Sequence, residues 1–169
     1  MTPTTVRDPP YGGYAAIAGS FAGGVALLAI AARRRDLSPY TPFDFTVLAL
    51  ATFKAARTLA RDNVGSFIRE PFVEGTPSEP NEEHPVATGD IRQAVGELVT
   101  CTRCVGTWAA VGMTATEVLA PSFGRILIRS LALGGANDWL QAGFAALASA
   151  GNRERASSVP FPAIAGTRQ

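Results

Sequence analysis

The sequence predicts an all-α integral membrane protein with three or four transmembrane helices, the last two forming an antiparallel hairpin, and a Pro-rich polar connector. Hydrophobic residues make up 47% of the 169-residue chain and charged residues only 17%, whereas soluble domains carry roughly 25% charged residues. The charges are also segregated, since residues 11–32 contain none and residues 61–103 contain many. Such alternation is typical of bilayer spans joined by hydrated loops.

The first predicted span is residues 11–32, after a tail at residues 1–10. Its 22 residues are enough, as a helix, to cross a hydrocarbon core of about 30 Å. Ala15, Gly19 and Gly23 recur at every fourth position and so lie on one helix face. Small residues spaced in this way let a second helix approach closely. We therefore expect this span to pack against another helix, in the same or another chain.

The N-terminus does not have the pattern of a cleaved signal peptide. Residues 1–10 contain one arginine and one aspartate, so the positively charged region is weak. Three consecutive arginines, residues 33–35, close the apolar segment as a stop-transfer flank would. We expect a retained anchor.

The second apolar segment, residues 42–60, is predicted to be either a transmembrane or an interfacial helix. Asp44 suits the start of a helix, where the helix dipole favours negative charge. Lys54, Arg57 and Arg61 follow at spacings of three and four near the other end, where long basic side chains can reach lipid headgroups. A short span with a basic inner end and an amphipathic helix in the interface both fit this pattern.

The rest of the chain divides into a connector, two spans and a tail. Residues 61–104 form a polar connector that ends in the two cysteines, and its prolines disfavour helix. Residues 105–120 and 126–150 are predicted to be transmembrane helices, joined by a short turn at residues 121–124. Residues 151–169 are predicted to be a flexible tail.

The distribution of arginine predicts the orientation of the chain. Arginines flank the connector and the end of the last span at Arg57, Arg61, Arg69, Arg92, Arg103, Arg153 and Arg155. The positive-inside rule makes that side of the membrane the cytoplasmic one. Four spans put both termini inside but leave the arginines at 33–35 outside, whereas three spans put the N-terminus outside. The cysteine connector is cytoplasmic in both arrangements.

Three ionisable residues fall inside the last two predicted spans: Glu117, Arg129 and Asp138. Because such groups are costly in the bilayer, they normally face a partner inside a helix bundle. Glu117 and Arg129 both lie towards the hairpin turn and are predicted to pair with each other. Asp138 is predicted to pair with Lys54 or Arg57, the alternative being a path for protons or cations.

Cys101 and Cys104 form a CxxC pair, for which three interpretations remain open. Zinc or an iron–sulfur cluster would need more ligands than these two thiols and His84 provide, so a metal site would have to be shared across a dimer. Thiol redox chemistry is the second interpretation, with Arg103 favouring the thiolate. Packing at the membrane boundary is the third. The chain has no P-loop, GxGxxG or HExxH motif.

Two blocks of residues resemble a known family. They are Arg57-x3-Arg61-Asp62-x6-Arg69-Glu70-Pro71-Phe72 and Gly96-Glu97-Leu98-x2-Cys101-x2-Cys104-x3-Trp108. Together they resemble a small bacterial multi-pass membrane protein family classified as a domain of unknown function, one member of which is described as sporulation-associated. The resemblance covers about residues 43–150. The family has proline after the first cysteine, where this chain has Thr102.

The resemblance implies a membrane location and a set of motif residues, but no activity, substrate or cofactor. The motif residues are Arg57, Arg61, Asp62, Arg69, Glu97, Cys101, Cys104 and Trp108. We expect their charged side chains to tie the connector onto the helix ends around the thiols.

The sequence favours a non-enzymatic structural or accessory membrane subunit that packs through Gly/Ala helix faces. Its expected partners are the lipid bilayer and other membrane helices, in a homo- or hetero-oligomer. The alternative functions are metal binding or thiol redox chemistry at Cys101 and Cys104, and ion or proton translocation past Asp138. The net charge of +1 gives no basic field for nucleic acid.

Overall fold

The computed structural model describes residues 9–35, 40–76 and 82–158, with side chains up to residue 153. Six α-helices fall in these ranges: α1 (Tyr11–Ala32), α2 (Pro42–Arg61), α3 (Ser66–Arg69), α4 (Ile91–Thr100), α5 (Thr102–Leu119) and α6 (Pro121–Ser158). Two short strands, β1 (Val73–Glu74) and β2 (His84–Pro85), pair antiparallel. The chain is therefore mostly helical, and this much of the predicted fold class is confirmed.

Within the described residues, only α1 is long and apolar enough to cross a membrane. Its most apolar stretch of 18 residues has a mean hydropathy of 2.0, and none of that stretch is buried. By length and composition, an N-terminal helix of this kind fits a membrane span and also fits a signal sequence. The additional spans and the transmembrane hairpin that the sequence predicted stay predictions.

The residues at the start of α2 explain why the helix begins there. Thr41 and Asp44 form a capping box, in which the Thr41 hydroxyl accepts from the Asp44 amide at 3.3 Å and the Asp44 carboxylate accepts from the Thr41 amide at 2.9 Å. Pro42 occupies the first helical position, where its missing N–H is not needed. These contacts satisfy amides that would otherwise be unpaired at the helix start.

The core lies between α2, α5 and the first turns of α6. The buried face of α2 is made of alanines, which let α5 approach closely. One cluster contains Ala51 and Ala55 of α2, Met113 of α5, and Ile128 and Ala132 of α6. A second contains Ala56, Ala60 and Val105.

The chain divides into two compact units, the first ending at Gly135 and the second beginning at Ala136. The functional features described below lie in the first unit. The second unit contains the rest of α6, whose large apolar side chains are exposed at Trp139, Leu140, Phe144 and Leu147.

The predicted polar connector, residues 61–104, is more ordered than the sequence suggested. It contains α3, the β1–β2 pair and the ten-residue helix α4. Helix α4 forms because no proline lies in residues 86–100 and because the Asp90 carboxylate caps the helix by accepting from the Arg92 amide at 2.9 Å. The thiols therefore lie between two helices rather than at the end of a loop.

The last helix also differs from its predicted bounds of 126–150. It begins at Pro121, so the predicted turn at 121–124 is its first helical turn, a position in which proline is tolerated. It also continues to Ser158, through the first part of the predicted flexible tail. The rest of that tail, residues 159–169, lies outside the described residues, as do residues 1–8 of the N-terminal tail.

Candidate functional site

A cleft of about 400 Å³ lies between α1, α4 and α5. Its lining is mostly apolar and comes from three helices: Tyr14, Ile17, Ala18 and Phe21 of α1, Ala94, Glu97 and Leu98 of α4, and Cys104, Thr107 and Trp108 of α5. Three motif residues predicted from the sequence, Glu97, Cys104 and Trp108, therefore meet in one place. We call this the thiol cleft.

Glu97 connects α4 to α1 at the thiol cleft. The Tyr14 hydroxyl donates a hydrogen bond to one Glu97 carboxylate oxygen, and Gln93 Nε2 donates to the other at 2.9 Å. Gly13 is buried beside Ala94, which brings the two helices close enough for this contact. Hydrogen bonds to a carboxylate are stronger than those between neutral groups, so this contact holds the start of α1 on α4.

The two cysteines lie at the start of α5. Cys101 is the N-cap residue, and its Sγ accepts a hydrogen bond from the Cys104 amide at 3.3 Å. Both thiols are reduced, Cys101 being half-buried and Cys104 exposed. The i, i+3 spacing at a helix N-terminus places the two side chains side by side.

This arrangement shifts the pKa values of the two thiols in opposite directions. A hydrogen bond from the Cys104 thiol, supported by backbone amides and the Arg103 charge, lowers the pKa of Cys101 below that of an ordinary cysteine. Donating that hydrogen bond, together with desolvation, raises the pKa of Cys104 to about 11. Cys101 is therefore the thiol that ionises first, and Cys104 keeps its proton to higher pH.

An aromatic pair closes one side of the thiol cleft. The rings of Phe21 and Trp108 meet edge to face, with centroids 5.2 Å apart and an interplanar angle of 72°. This contact joins α5 to α1. The Phe21 partner was not predicted, because it lies far from Trp108 in the sequence.

Arg69 is fully buried and holds the connector together. Its Nε donates to Glu83 Oε2 at 2.6 Å and its Nη2 to Glu83 Oε1 at 3.2 Å. Its Nη1 donates to the carbonyls of Leu59 at 2.8 Å and Asp62 at 3.1 Å, at the end of α2. A bidentate pair with every charge compensated is the arrangement that a buried arginine requires.

Sequence reasoning identified Arg69 but not its partner. Glu83 is one of several acidic residues in the connector, and no sequence pattern sets it apart from its neighbours. The Arg92 Nε also donates to the Pro71 carbonyl at 2.7 Å, so a second arginine ties α4 to the connector. These contacts support the expectation that charged side chains fasten the connector to helix ends.

Two further motif residues lie at the end of α2. The Asp62 carboxylate accepts from the Thr58 hydroxyl at 2.9 Å and lies 3.6 Å from the Lys54 ammonium. Arg57 and Arg61 line a second, smaller cleft beside the start of α5. Of the motif arginines, Arg69 is therefore buried and structural, whereas Arg57 and Arg61 line a cleft.

The structure gives Glu117 a different partner from the one predicted. Its carboxylate accepts a hydrogen bond from the Tyr40 hydroxyl at 2.7 Å. The positive charge of Arg129 acts instead on the Asp44 carboxylate. Desolvation and this hydrogen bond raise the pKa of Tyr40 to about 12. Tyr40 precedes α2 and was not considered as a partner. The pairing of Asp138 stays a prediction.

No group of three or more histidine, cysteine or acidic side chains lies close enough to hold a metal ion in the described parts of the chain. His84 belongs to β2, where it lies opposite Glu74 of β1 in the strand register. A zinc or iron–sulfur site shared across a dimer was one of the three interpretations of the thiol pair, and it stays a prediction.

Comparison with protein-family models finds one match, to a family described as "Protein of unknown function (DUF1360)", over residues 47–144. The chain belongs to this family. The match covers more than half of the chain and includes both motif blocks, the thiols and the connector, but leaves α1 outside. Comparisons with curated proteins and with solved structures find no significant match.

The site combines an apolar cleft, to which α1 contributes from outside the family region, with a fixed carboxylate and a thiol pair of unequal acidity. Such a site can exchange a disulfide, because one thiolate is ready to attack and a second thiol lies beside it. It can also pack against an apolar partner. The described residues around it contain no histidine that would serve as a general base.

Proposed function

We propose that this member of the family is a multi-pass protein of the bacterial cytoplasmic membrane, without catalytic activity of its own, that serves as an accessory subunit. The observation that carries the proposal is α1, whose 22 residues lack charge and whose apolar stretch is unburied. A helix of this kind is stable only if lipid or another apolar surface covers it.

Contacts of α1 support a retained anchor rather than a removed signal sequence. Tyr14 and Phe21 contact Glu97 and Trp108, so the first half of α1 is part of the folded unit. Its removal would expose the thiol cleft and leave Glu97 without the Tyr14 hydroxyl.

The opposite face of α1 supports packing against a second chain. At about 100° per residue, Ala15, Gly19 and Gly23 lie on the side away from Tyr14 and Phe21. A Cβ added at Gly19 or Gly23 would meet no atom within 4 Å. This face is smooth and open, and small residues in this arrangement favour close helix association in lipid.

The exposed apolar side chains of the other long helices support additional spans. On α2 they include Phe43, Phe45 and Phe53, and on α6 they include Phe123, Ile126 and Leu133. We propose that α5 and α6 add spans to α1 and that α2 is either a further span or an interfacial helix, giving three or four spans in total. The thiols and the arginine motif lie on the cytoplasmic side.

Replacing Gly23 by leucine should abolish assembly, because the larger side chain separates α1 from its partner helix. The measurement is the mass of the complex, by native electrophoresis and light scattering in mild detergent. Alkaline extraction of membranes should show that the variant still inserts, since leucine favours insertion.

The matched control is Gly24→Leu, which adds the same volume and hydropathy to α1 but points to another side of the helix. Gly24 also has no atom within 4 Å of an added Cβ. This variant should assemble normally. If both variants keep the native mass, or both lose it, the small-residue face is not the interface.

A second candidate function is thiol–disulfide exchange, which the unequal acidities of Cys101 and Cys104 favour. The Cys101 thiolate would attack a disulfide sulfur of a partner protein and release one partner thiol. The Cys104 sulfur would then attack the Cys101 sulfur of this mixed disulfide and displace the partner's second sulfur as a thiol, leaving a Cys101–Cys104 disulfide. Two electrons and two protons pass to the partner in this exchange.

Alkylation as a function of pH should distinguish the two thiols. We expect Cys101 to react with an apparent pKa below the usual value of about 8.5 and Cys104 with one above it. In Cys104→Ala the hydrogen bond to Cys101 is lost, so the apparent pKa of Cys101 should rise. Mass spectrometry of labelled peptides gives both values. Equal pKa values in the wild type would exclude this mechanism.

A further inference from the structure

A second cleft, of about 280 Å³, lies between α2 and the first turns of α5. Three arginines line it, Arg57 and Arg61 from α2 and Arg103 from α5, together with apolar groups that include Phe53. No acidic residue is among those that line it. We call this the arginine cleft.

The nearby carboxylates are already engaged elsewhere. Asp62 contacts Thr58 and Lys54, and Glu83 is bound by Arg69. In the part of the chain that the structure describes, neither Arg57 nor Arg103 forms a salt bridge. The N-terminal end of α5 adds its partial positive charge at the same place. The arginine cleft is therefore a concentration of positive charge, with no carboxylate among its lining residues.

An unsatisfied polar atom lies in the wall of the same cleft. The Thr52 hydroxyl oxygen is buried and has no hydrogen-bond partner among the described residues. Leaving a buried hydroxyl unpaired is unfavourable, and in native structures such a group often marks a place where a ligand or ion binds. This observation is independent of the charges and points to the same cleft.

We propose that the arginine cleft binds a phosphate group, with the guanidinium groups of Arg57 and Arg103 as its main ligands and Thr52 as a further donor. Arginine binds phosphate through paired N–H groups, which a single positive charge cannot replace. Phosphate can come from an anionic lipid headgroup or from a soluble phosphate compound. The apolar side of the cleft, with Phe53 exposed there, suits the lipid source.

The lipid source rests on the proposed membrane location, whereas the phosphate site itself does not. Binding is therefore measured on the full-length, detergent-purified protein in two arms. One arm titrates phosphatidylglycerol, with phosphatidylcholine for comparison, and counts bound lipid by native mass spectrometry. The other titrates inorganic phosphate and glycerol phosphate by calorimetry.

The test variant is Arg57→Gln/Arg103→Gln, and its matched control is Arg33→Gln/Arg34→Gln, which removes the same charge at the end of α1. We expect the test variant to bind at least about tenfold more weakly, because it loses charge-assisted hydrogen bonds. The control should bind as the wild type does. Thr52→Val keeps the shape and the charge, and should weaken binding by a smaller factor.

The outcomes separate the sources. Phosphatidylglycerol binding that is lost in the test variant, without binding of the soluble compounds, assigns the site to a lipid headgroup. Binding of glycerol phosphate or inorganic phosphate, lost in the same variant, assigns it to a soluble ligand and stands even if the membrane location fails. Binding that is equal in wild type, test variant and control overturns the proposal, as does the absence of binding in both arms.

Discussion

Replacing Arg69 by methionine should lower the free energy of unfolding by about 3–5 kcal/mol, the usual cost of removing one partner from a buried ion pair. The substitution leaves the Glu83 carboxylate buried without its bidentate partner and leaves the Leu59 and Asp62 carbonyls without a donor. For a chain of this length the loss corresponds to a fall of roughly 6–20 °C in unfolding midpoint. Thermal unfolding in detergent, followed by circular dichroism, measures it.

The matched control is Arg92→Met, which removes an arginine of the same connector. Arg92 is exposed, and its side chain donates a hydrogen bond to the Pro71 carbonyl. Its loss should cost no more than about 1 kcal/mol. The double variant Arg69→Met/Glu83→Leu should recover part of the stability, since it leaves no unpaired charge. Equal midpoints for Arg69→Met and Arg92→Met would contradict the structural role of Arg69.

Replacing Gly96 by alanine should have the second large effect, although it adds only one methyl group. A Cβ at this position would lie 2.4 Å from the Phe72 carbonyl oxygen and 3.1 Å from the Pro85 Cβ. Because the Phe72 oxygen is a backbone atom, α4 would have to move away from Phe72 and Pro85. Overpacking of this kind costs about 1–3 kcal/mol. It would also shift Glu97, the next residue, away from Tyr14.

The control for Gly96 is Gly112→Ala, the same substitution in the exposed part of α5. An added Cβ there meets no atom within 4 Å. Alanine in a helix is favoured over glycine by roughly 0.5–1 kcal/mol, so this variant should be slightly more stable than the wild type. The unfolding midpoints of the two variants should move in opposite directions. A Gly96→Ala midpoint at or above the wild-type value would show that α4 does not lie against Phe72.

Several features of the site were predictable because they depend on neighbouring residues. Thr41 and Asp44 form a local capping pair, and the spacing of Cys101 and Cys104 places two thiols side by side at a helix start. The importance of Arg69 and Glu97 followed from the family resemblance. Their partners did not, since Glu83 is 14 residues from Arg69 and Tyr14 is 83 residues from Glu97.

Other features were wrong or incomplete for a physical reason. The connector was predicted to be irregular because prolines interrupt it, yet α4 forms in the interval that contains none. Pro121 was assigned to a turn, whereas at the first position of a helix proline costs nothing. Glu117 was paired with Arg129 by proximity in the sequence, but Tyr40 provides the hydrogen bond.

Composition and spacing alone determined that this is a mostly helical protein with one uncharged N-terminal helix and a thiol pair next to an arginine motif. These properties depend on the period of a helix and on the absence of charge over a continuous segment. Only the tertiary structure decided that α1, α4 and α5 enclose the thiol cleft, that Arg69 is buried on Glu83, and that Arg57 and Arg103 share a second cleft. Each of these depends on contacts between residues far apart in the chain, which no local pattern specifies.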